Sequence, residues 1–276
     1  MPIVFACAGS HAPGITAWTE KAPREQVDRF VGGYNTVQRE LAASRPDSIL
    51  LLTSEHWANF FLDHIGAFCI GRGESFEGPI EPWLRVGKVI VPGNPKLAKS
   101  ILDHCYENGF ELSYAEELKL DHGSMVPLKF ITPEMNTSVV PLIFNTLATP
   151  RPTARRCLAL GQVLGQLLER SDERIAVVAT GGLSHDPGEI NHGFIDREFD
   201  AQFLSRLEEG DLDRLSAYSD AELLKAGAGT LELLAWICLA GIMAKHKPRV
   251  VVYEAVEPWA TGVGIVSYAP VAPPRA

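Results

Sequence analysis

Five short apolar runs rich in β-branched residues constrain this chain more than any other feature: 2–8 (PIVFACA), 48–53 (SILLLT), 138–144 (SVVPLIF), 174–180 (RIAVVAT) and 249–256 (RVVVYEAV). Each is continuous. A strand with one wet face alternates apolar and polar residues, so continuous runs belong to strands covered on both faces. Helical periodicity fills 24–44, 95–108, 153–170, 196–208 and 219–245. Strands alternating with helices predict an α/β fold, a single domain with a mainly parallel central sheet flanked by helices. The Gly/Pro-rich stretch GRGESFEGPIEPW (71–83) reads as a long loop or small excursion, and 269–276 as a frayed tail. Nothing marks a linker, so residues 1–276 are expected to form one catalytic domain.

Composition narrows the function classes. A net charge of −9 without a long basic run excludes phosphate-dependent nucleic-acid binding and disfavours anionic membranes. The longest nearly apolar run, 231–243, is shorter than a membrane span and carries an acid. Five scattered cysteines, odd in number and without a Cys-x-x-Cys pair, form neither a disulfide framework nor a zinc ribbon. The N-terminus lacks the basic region of a signal peptide, and a reducing cytoplasm is the expected compartment.

Three of the strand-like runs lead into a histidine: Gly9-Ser10-His11, Ser54-Glu55-His56 and Gly181-Gly182-Leu183-Ser184-His185. Ligands of open α/β sheets bind beyond the carboxyl ends of strands, so these three side chains can converge. Gly181 and Gly182 permit close backbone approach. His122, in the turn-like Leu-Asp-His-Gly at 120–123, is a fourth candidate, while His64, His104, His192 and His246 read as structural or solvated. Glu232 is the single charge in LELLAWICLAGIM. Either it lies at the edge of the apolar stripe facing water, or it is buried and needs a cation. Gly227 and Gly229 suggest that the helix begins or is interrupted near it. Two histidines and a carboxylate suit Fe(II) with three open positions, or zinc with water as fourth ligand and Glu55 or His185 as base. Ser184 lacks the Gly-x-Ser-x-Gly context of a nucleophile, and no nucleotide-binding glycine pattern follows the first strand.

The motifs together resemble those of the class III (LigB-type) extradiol ring-cleavage dioxygenases over nearly the whole chain. The matching stretches are Ser10-His11, SEHWANFF (54–61), FCIGRGE (68–74), LDHGSMVPL (120–128), PLIFNTLATPRP (141–152), TGGLSHDPG (180–188), 195–215, GTLELLAW (229–236) and EPWATGVG (257–264). The resemblance implies that His11, His56 and Glu232 hold Fe(2+), with Glu257 a weaker alternative to Glu232. It implies that His185 is an acid/base, assisted by His122. It further implies a catechol-type diol and O2 as substrates and a hydroxymuconic semialdehyde-type product. A homo-oligomer is expected, with a small α-type subunit in some members. Glu55 stands where the family often has Asp before the second histidine. Asn145 and Thr146 are candidate pocket residues, and Arg24, Arg151 and Arg197 are candidates for binding a substrate carboxylate. An aminophenol or hydroxylated heteroaromatic substrate, a zinc hydrolase, and a Memo-like non-catalytic metal-binding protein are the competing readings.

Overall fold

The computed structural model describes residues 3–188 and 190–268, so the tail expected to fray lies outside the described residues. In chain order the elements are β1 (Ile3–Gly9), α1 (Gly14–Ala17), α2 (Arg24–Ser44), β2 (Ser48–Ser54), β3 (Phe68–Gly71), β4 (Ser75–Gly78), β5 (Val89–Pro92) and α3 (Pro95–Glu107). They continue with β6 (Ser113–Ala115), α4 (His122–Ile131), β7 (Ser138–Phe144), α5 (Ala154–Leu168), β8 (Ile175–Thr180), α6 (Arg197–Glu209) and α7 (Leu212–Ala217). The last are α8 (Asp220–Lys225), α9 (Leu233–Ile242), β9 (Arg249–Val256) and β10 (Thr261–Ser267).

One sheet of eight strands runs in the order β6-β3-β7-β2-β8-β1-β10-β9, and β4 and β5 form a separate antiparallel pair. Its centre, β7-β2-β8-β1, is parallel. Antiparallel pairing enters at β3–β7 on one side and at β1–β10–β9 on the other. Every residue of β1, β2 and β8 is buried, as continuous apolar runs require. The pleat sorts them onto two faces. Ala6, Ala8, Leu50, Leu52, Val177 and Ala179 pack with α3, α5, α6 and α9. Phe5, Cys7, Ile49, Leu51, Ala176 and Val178 pack with α2 and α4. All five cysteines are buried and free. No helix among the described residues is long and apolar enough to cross a membrane.

The five strand-like runs are strands, and four of the five helical segments are single helices. The fifth, 219–245, is broken. α8 ends at Lys225, Gly227 takes a φ of +112°, and a 3-10 turn over Ala228–Glu232 precedes α9. A Cβ on Gly227 would sit 2.1 Å from the His185 carbonyl oxygen, so this glycine is needed both for its φ and for the close approach. Of residues 120–123, expected as a turn, His122 and Gly123 instead begin α4, capped by the Asp121 side chain, which accepts from the Ser124 N–H at 3.3 Å. Pro127 falls inside that helix and masks it in the sequence. Gly262 and Gly264 similarly interrupt the apolar pattern of β10.

All ten residues of α9 are buried, between the sheet and α5, which is why it reads as apolar all round. Glycines let the two helices meet. A Cβ on Gly161 would lie 2.0 Å from the Cys238 carbonyl oxygen and 3.0 Å from Gly241 Cα. Gly161→Ala would gain about 1 kcal/mol of helix propensity but force apart backbone that cannot yield cheaply. The expected outcome is a net destabilisation of roughly 1–3 kcal/mol, read as a lower urea midpoint with unchanged slope.

Candidate active site

β2, β8 and β1 are consecutive in the sheet and parallel, so their carboxyl ends lie side by side. His56, the loop carrying His185, and His11 leave those three ends. The 3-10 turn before α9 brings Glu232 up to them through the glycines of the 181–182 loop. A Cβ on Gly181, whose φ is +124°, would meet Glu232 Cβ at 2.6 Å, and the Gly182 N–H donates to Glu232 Oε2 at 2.7 Å. The close approach that these glycines permit is taken up by this carboxylate.

Glu232 is buried, and both of its oxygens face histidines. Oε2 lies 3.2 Å from His11 Nε2 and Oε1 lies 3.1 Å from His56 Nε2. His185 Nε2 is farther, 3.8 Å from Oε1. The opposite ring nitrogens are already committed. Asp121 Oδ2, which can only accept, takes the His56 Nδ1–H at 2.8 Å. Thr180 donates its hydroxyl to Thr53 at 3.0 Å, leaving a lone pair for the His11 Nδ1–H at 3.1 Å. Both Nε2 atoms are thereby aimed at Glu232. This arrangement, an outer acceptor fixing the tautomer of each ring, is how metal-binding histidines are held.

The charges fit a cation. Burial would lower the basicity of His56, but Asp121 and then Glu232 raise it well above the usual histidine range. Burial dominates at His11 and lowers its pKa despite Glu232. Burial would raise the Glu232 carboxyl, yet the facing imidazoles of His11 and His185 hold it well below the carboxylate range. His11 Nε2 is buried, has no hydrogen-bond partner, and points its lone pair at a carboxylate oxygen. Two ligand atoms each about 2.1 Å from one ion and at right angles lie about 3.0 Å apart. The His11–Glu232 and His56–Glu232 separations, each to a different carboxylate oxygen, lie near that value. His122 adds a third ring: His11, His56 and His122 offer nitrogens within 4.8 Å of one another, and the His56 and His122 ring centroids are 4.1 Å apart.

The family model for the catalytic LigB subunit of aromatic ring-opening dioxygenase matches residues 6–264. The chain belongs to the LigB family. It is similar to three proteins named 2,3-dihydroxyphenylpropionate/2,3-dihydroxicinnamic acid 1,2-dioxygenase. The one from Photorhabdus laumondii is 25% identical over 98% of both chains, and that from Paraburkholderia xenovorans 25% over 99% of both. The one from Cupriavidus necator is 24% identical over 99% of this chain and 100% of its own. Among solved structures, uncharacterized protein JW3007 from Escherichia coli K12 matches with a TM-score of 0.58 over 96% of this chain and 100% of its own. At 16% identity that likeness is one of fold. The protein is therefore an enzyme, an extradiol-type dioxygenase that acts on an aromatic ring with O2.

Within this LigB enzyme, His185 is held in a fixed orientation. Its Nδ1–H donates to the Leu183 carbonyl at 2.8 Å, which leaves the Nε2 lone pair facing the site. A Cβ on Gly229 would fall 2.1 Å from that Nε2, so the absence of a side chain there makes room for the ring. Behind His185, Asp200 is buried and accepts from the Ser184 N–H at 2.9 Å, the Ser184 hydroxyl at 2.8 Å and the Tyr253 hydroxyl at 2.8 Å. The Ser184 hydroxyl is consumed there, as its lack of a nucleophile motif anticipates.

Burial raises the Asp200 carboxyl to about 6 against those donors. Its unfolded value lies near 3.9, so as pH rises the unfolded chain loses this proton first. The native state then binds more protons than the unfolded one, and the contribution of Asp200 to stability falls between about pH 4 and pH 6. Asp200→Asn, which keeps an acceptor for the Ser184 N–H, should remove that slope. Urea midpoints at pH 4.5 and pH 7 are expected to show the parent losing about 2 kcal/mol relative to the variant.

Several candidates are not brought to the histidines. Asn145 spends its side chain on its own turn: Nδ2 donates to Ala148 O at 2.8 Å and Pro150 O at 3.3 Å, and Oδ1 accepts from the N–H groups of Leu147 and Ala148. Thr146 is buried beside it. Glu55 is buried with Oε1 accepting from the backbone of Ala58, Asn59 and Phe60, which shapes the loop after His56. Arg24, Arg151 and Arg197 pair with Asp28, Asp220 and Glu257. Glu257 is a surface residue, its side chain 79% exposed. His104 donates its Nε2–H to the Val163 carbonyl at 3.1 Å, while His64 and His192 are exposed. The sequence reading missed Thr53, Thr180, Asp121, Glu81 and Asp200. Only Asp121 carried a signal, through its place beside His122. The others touch histidines or their loops from distant segments.

Proposed function

We propose that this enzyme is an Fe(II)-dependent extradiol dioxygenase whose iron is held by His11, His56 and Glu232. The substrate is a catechol-type diol, and both atoms of O2 enter a hydroxymuconic semialdehyde-type product. The observation that carries the reading is the buried lone pair of His11 Nε2 set against Glu232, with His56 on the other oxygen. The relatives named as 1,2-dioxygenases of dihydroxylated arylpropionates support a diol. Iron bound there would place both diol oxygens and O2 side by side and relay electrons between them.

The rest falls to the protein. Asp121, Thr180 and Gly182 lock the three ligands. His185 Nε2, with its lone pair free, takes the proton of one substrate hydroxyl and holds it close by for return when the ring opens. His122, its ring tilted by 41° beside that of His56, serves the second proton. Trp83, its ring centroid 6.2 Å from His122, offers an apolar face for the substrate ring. The expected setting is the cytoplasm, where all five buried cysteines stay reduced. Assembly as a homo-oligomer, with or without a small α-type subunit, belongs to the same proposal. Trp57, Phe61 and Leu62 beside the site are exposed and suit such a cover.

Zinc accepts the same ligands, so the metal is tested directly. Protein loaded anaerobically with Fe(II) should consume O2 with a diol, and protein loaded with Zn(II) should not. Equal activity of the zinc form, or turnover without O2, would overturn the assignment.

A further inference from the structure

We propose that Glu81 is a positioning residue that fixes His122 for proton transfer, an inference that rests on the reading of His122 as an acid/base. Glu81 Oε1 accepts from the His122 Nδ1–H at 2.6 Å and from the His122 backbone N–H at 3.1 Å. The second bond uses an N–H that the first turn of α4 leaves without a helical partner. One carboxylate oxygen therefore ties both ends of the histidine and sets the direction in which its ring leaves the helix. A carboxylate accepts only, so Nδ1 keeps its proton and Nε2 is the nitrogen left to act on a substrate. The other oxygen, Oε2, is buried without a partner, so this contact with His122 is the main use of the group.

Glu81 is itself held firmly. It lies in the excursion between β4 and β5, which is zipped to the segment before α4. Leu120 N–H donates to Glu77 O at 2.8 Å and Ile80 N–H donates to Leu120 O at 2.9 Å. Gly78 permits that approach, because a Cβ there would stand 2.8 Å from Leu120 Cβ. The excursion thus has a task that its composition does not disclose. It carries a carboxylate across some forty residues of sequence to the back of His122. The logic is that of a carboxylate orienting a catalytic imidazole and choosing its tautomer.

The test uses the full-length protein with Glu81→Ala and the isosteric Glu81→Gln. Glu81→Ala should retain bound Fe(II) and leave KM within about threefold, but lower kcat by about 10–100-fold, the usual cost of losing such an orienting partner. Glu81→Gln, which keeps an acceptor, should recover part of the loss. In a His122→Ala background, Glu81→Ala should cost nothing further, because a residue acting only through His122 has no one left to orient. Independently of activity, the 15N signals of His122 in metal-free protein should show a protonated Nδ1 that is lost or mixed in Glu81→Ala. Unchanged kcat in Glu81→Ala, a full additional loss in the double variant, or an unprotonated Nδ1 in the parent would overturn the proposal. Failure of the parent to consume O2 with any diol would instead strike the proposed function, and the nitrogen signals would still decide the role of Glu81.

Discussion

Glu232→Gln should fold and fail to hold metal. The substitution keeps the shape of the side chain and an acceptor for the Gly182 N–H, so the buried loop at 181–182 has no new unpaired group. What it removes is the charge that His11 and His56 face at 3.2 and 3.1 Å. Loss of an orienting partner behind a ligand commonly costs 10–100-fold in metal affinity, and loss of a ligand itself should exceed that. Glu232→Ala should be worse still, because it also orphans the Gly182 N–H at a cost of about 1–3 kcal/mol. Elemental analysis after anaerobic loading and dialysis is expected to find less than a tenth of the parent's iron in either variant, with O2 consumption lost in step. Full iron content in Glu232→Gln would remove Glu232 from the ligand set and promote His122, whose ring nitrogen lies in the same group as those of His11 and His56.

His185→Phe should behave in the opposite way, keeping iron and losing turnover. Phe fills the space beside Gly229 with a flat ring but has no lone pair where His185 presents Nε2. The approach of His185 to Glu232, at 3.8 Å, is too long to be structural. General acid–base groups contribute about 10²–10⁴-fold, so kcat should fall by that factor while KM changes little. Iron content and O2 uptake measured on the same sample separate this outcome from that of Glu232. Retained turnover, or iron lost together with activity, would deny His185 the role of a proton carrier.

How far these sites can be seen without coordinates depends on the range of the interactions that build them. The parallel centre was legible because β1, β2 and β8 are buried on both faces and therefore carry unbroken apolar runs. The convergence of His11, His56 and His185 followed, since each leaves the same end of a parallel strand. The chain order hides that β8 lies between β1 and β2, which brings the three ends next to one another. Glu232 could be seen as anomalous, a lone charge in an apolar run, but periodicity could not say whether it faced water. Its burial is decided by Gly181 and Gly227, which let two backbones approach, and that is a property of paired segments. Short strands such as β3 and β6 bury too few residues to leave a pattern. The partners that fix the tautomers, Thr180, Asp121 and Glu81, are ordinary polar residues until the fold sets them behind a histidine.

The most direct measurement is O2 uptake by the anaerobically Fe(II)-loaded protein, with iron content determined on the same sample. The panel is protocatechuate, gallate, 2,3-dihydroxyphenylpropionate, 2,3-dihydroxybiphenyl and 2-aminophenol. The account predicts one O2 consumed per molecule of at least one of the diols, with a coloured ring-fission product. Full iron binding with no O2 consumed for any diol, or uptake with 2-aminophenol alone, would contradict it.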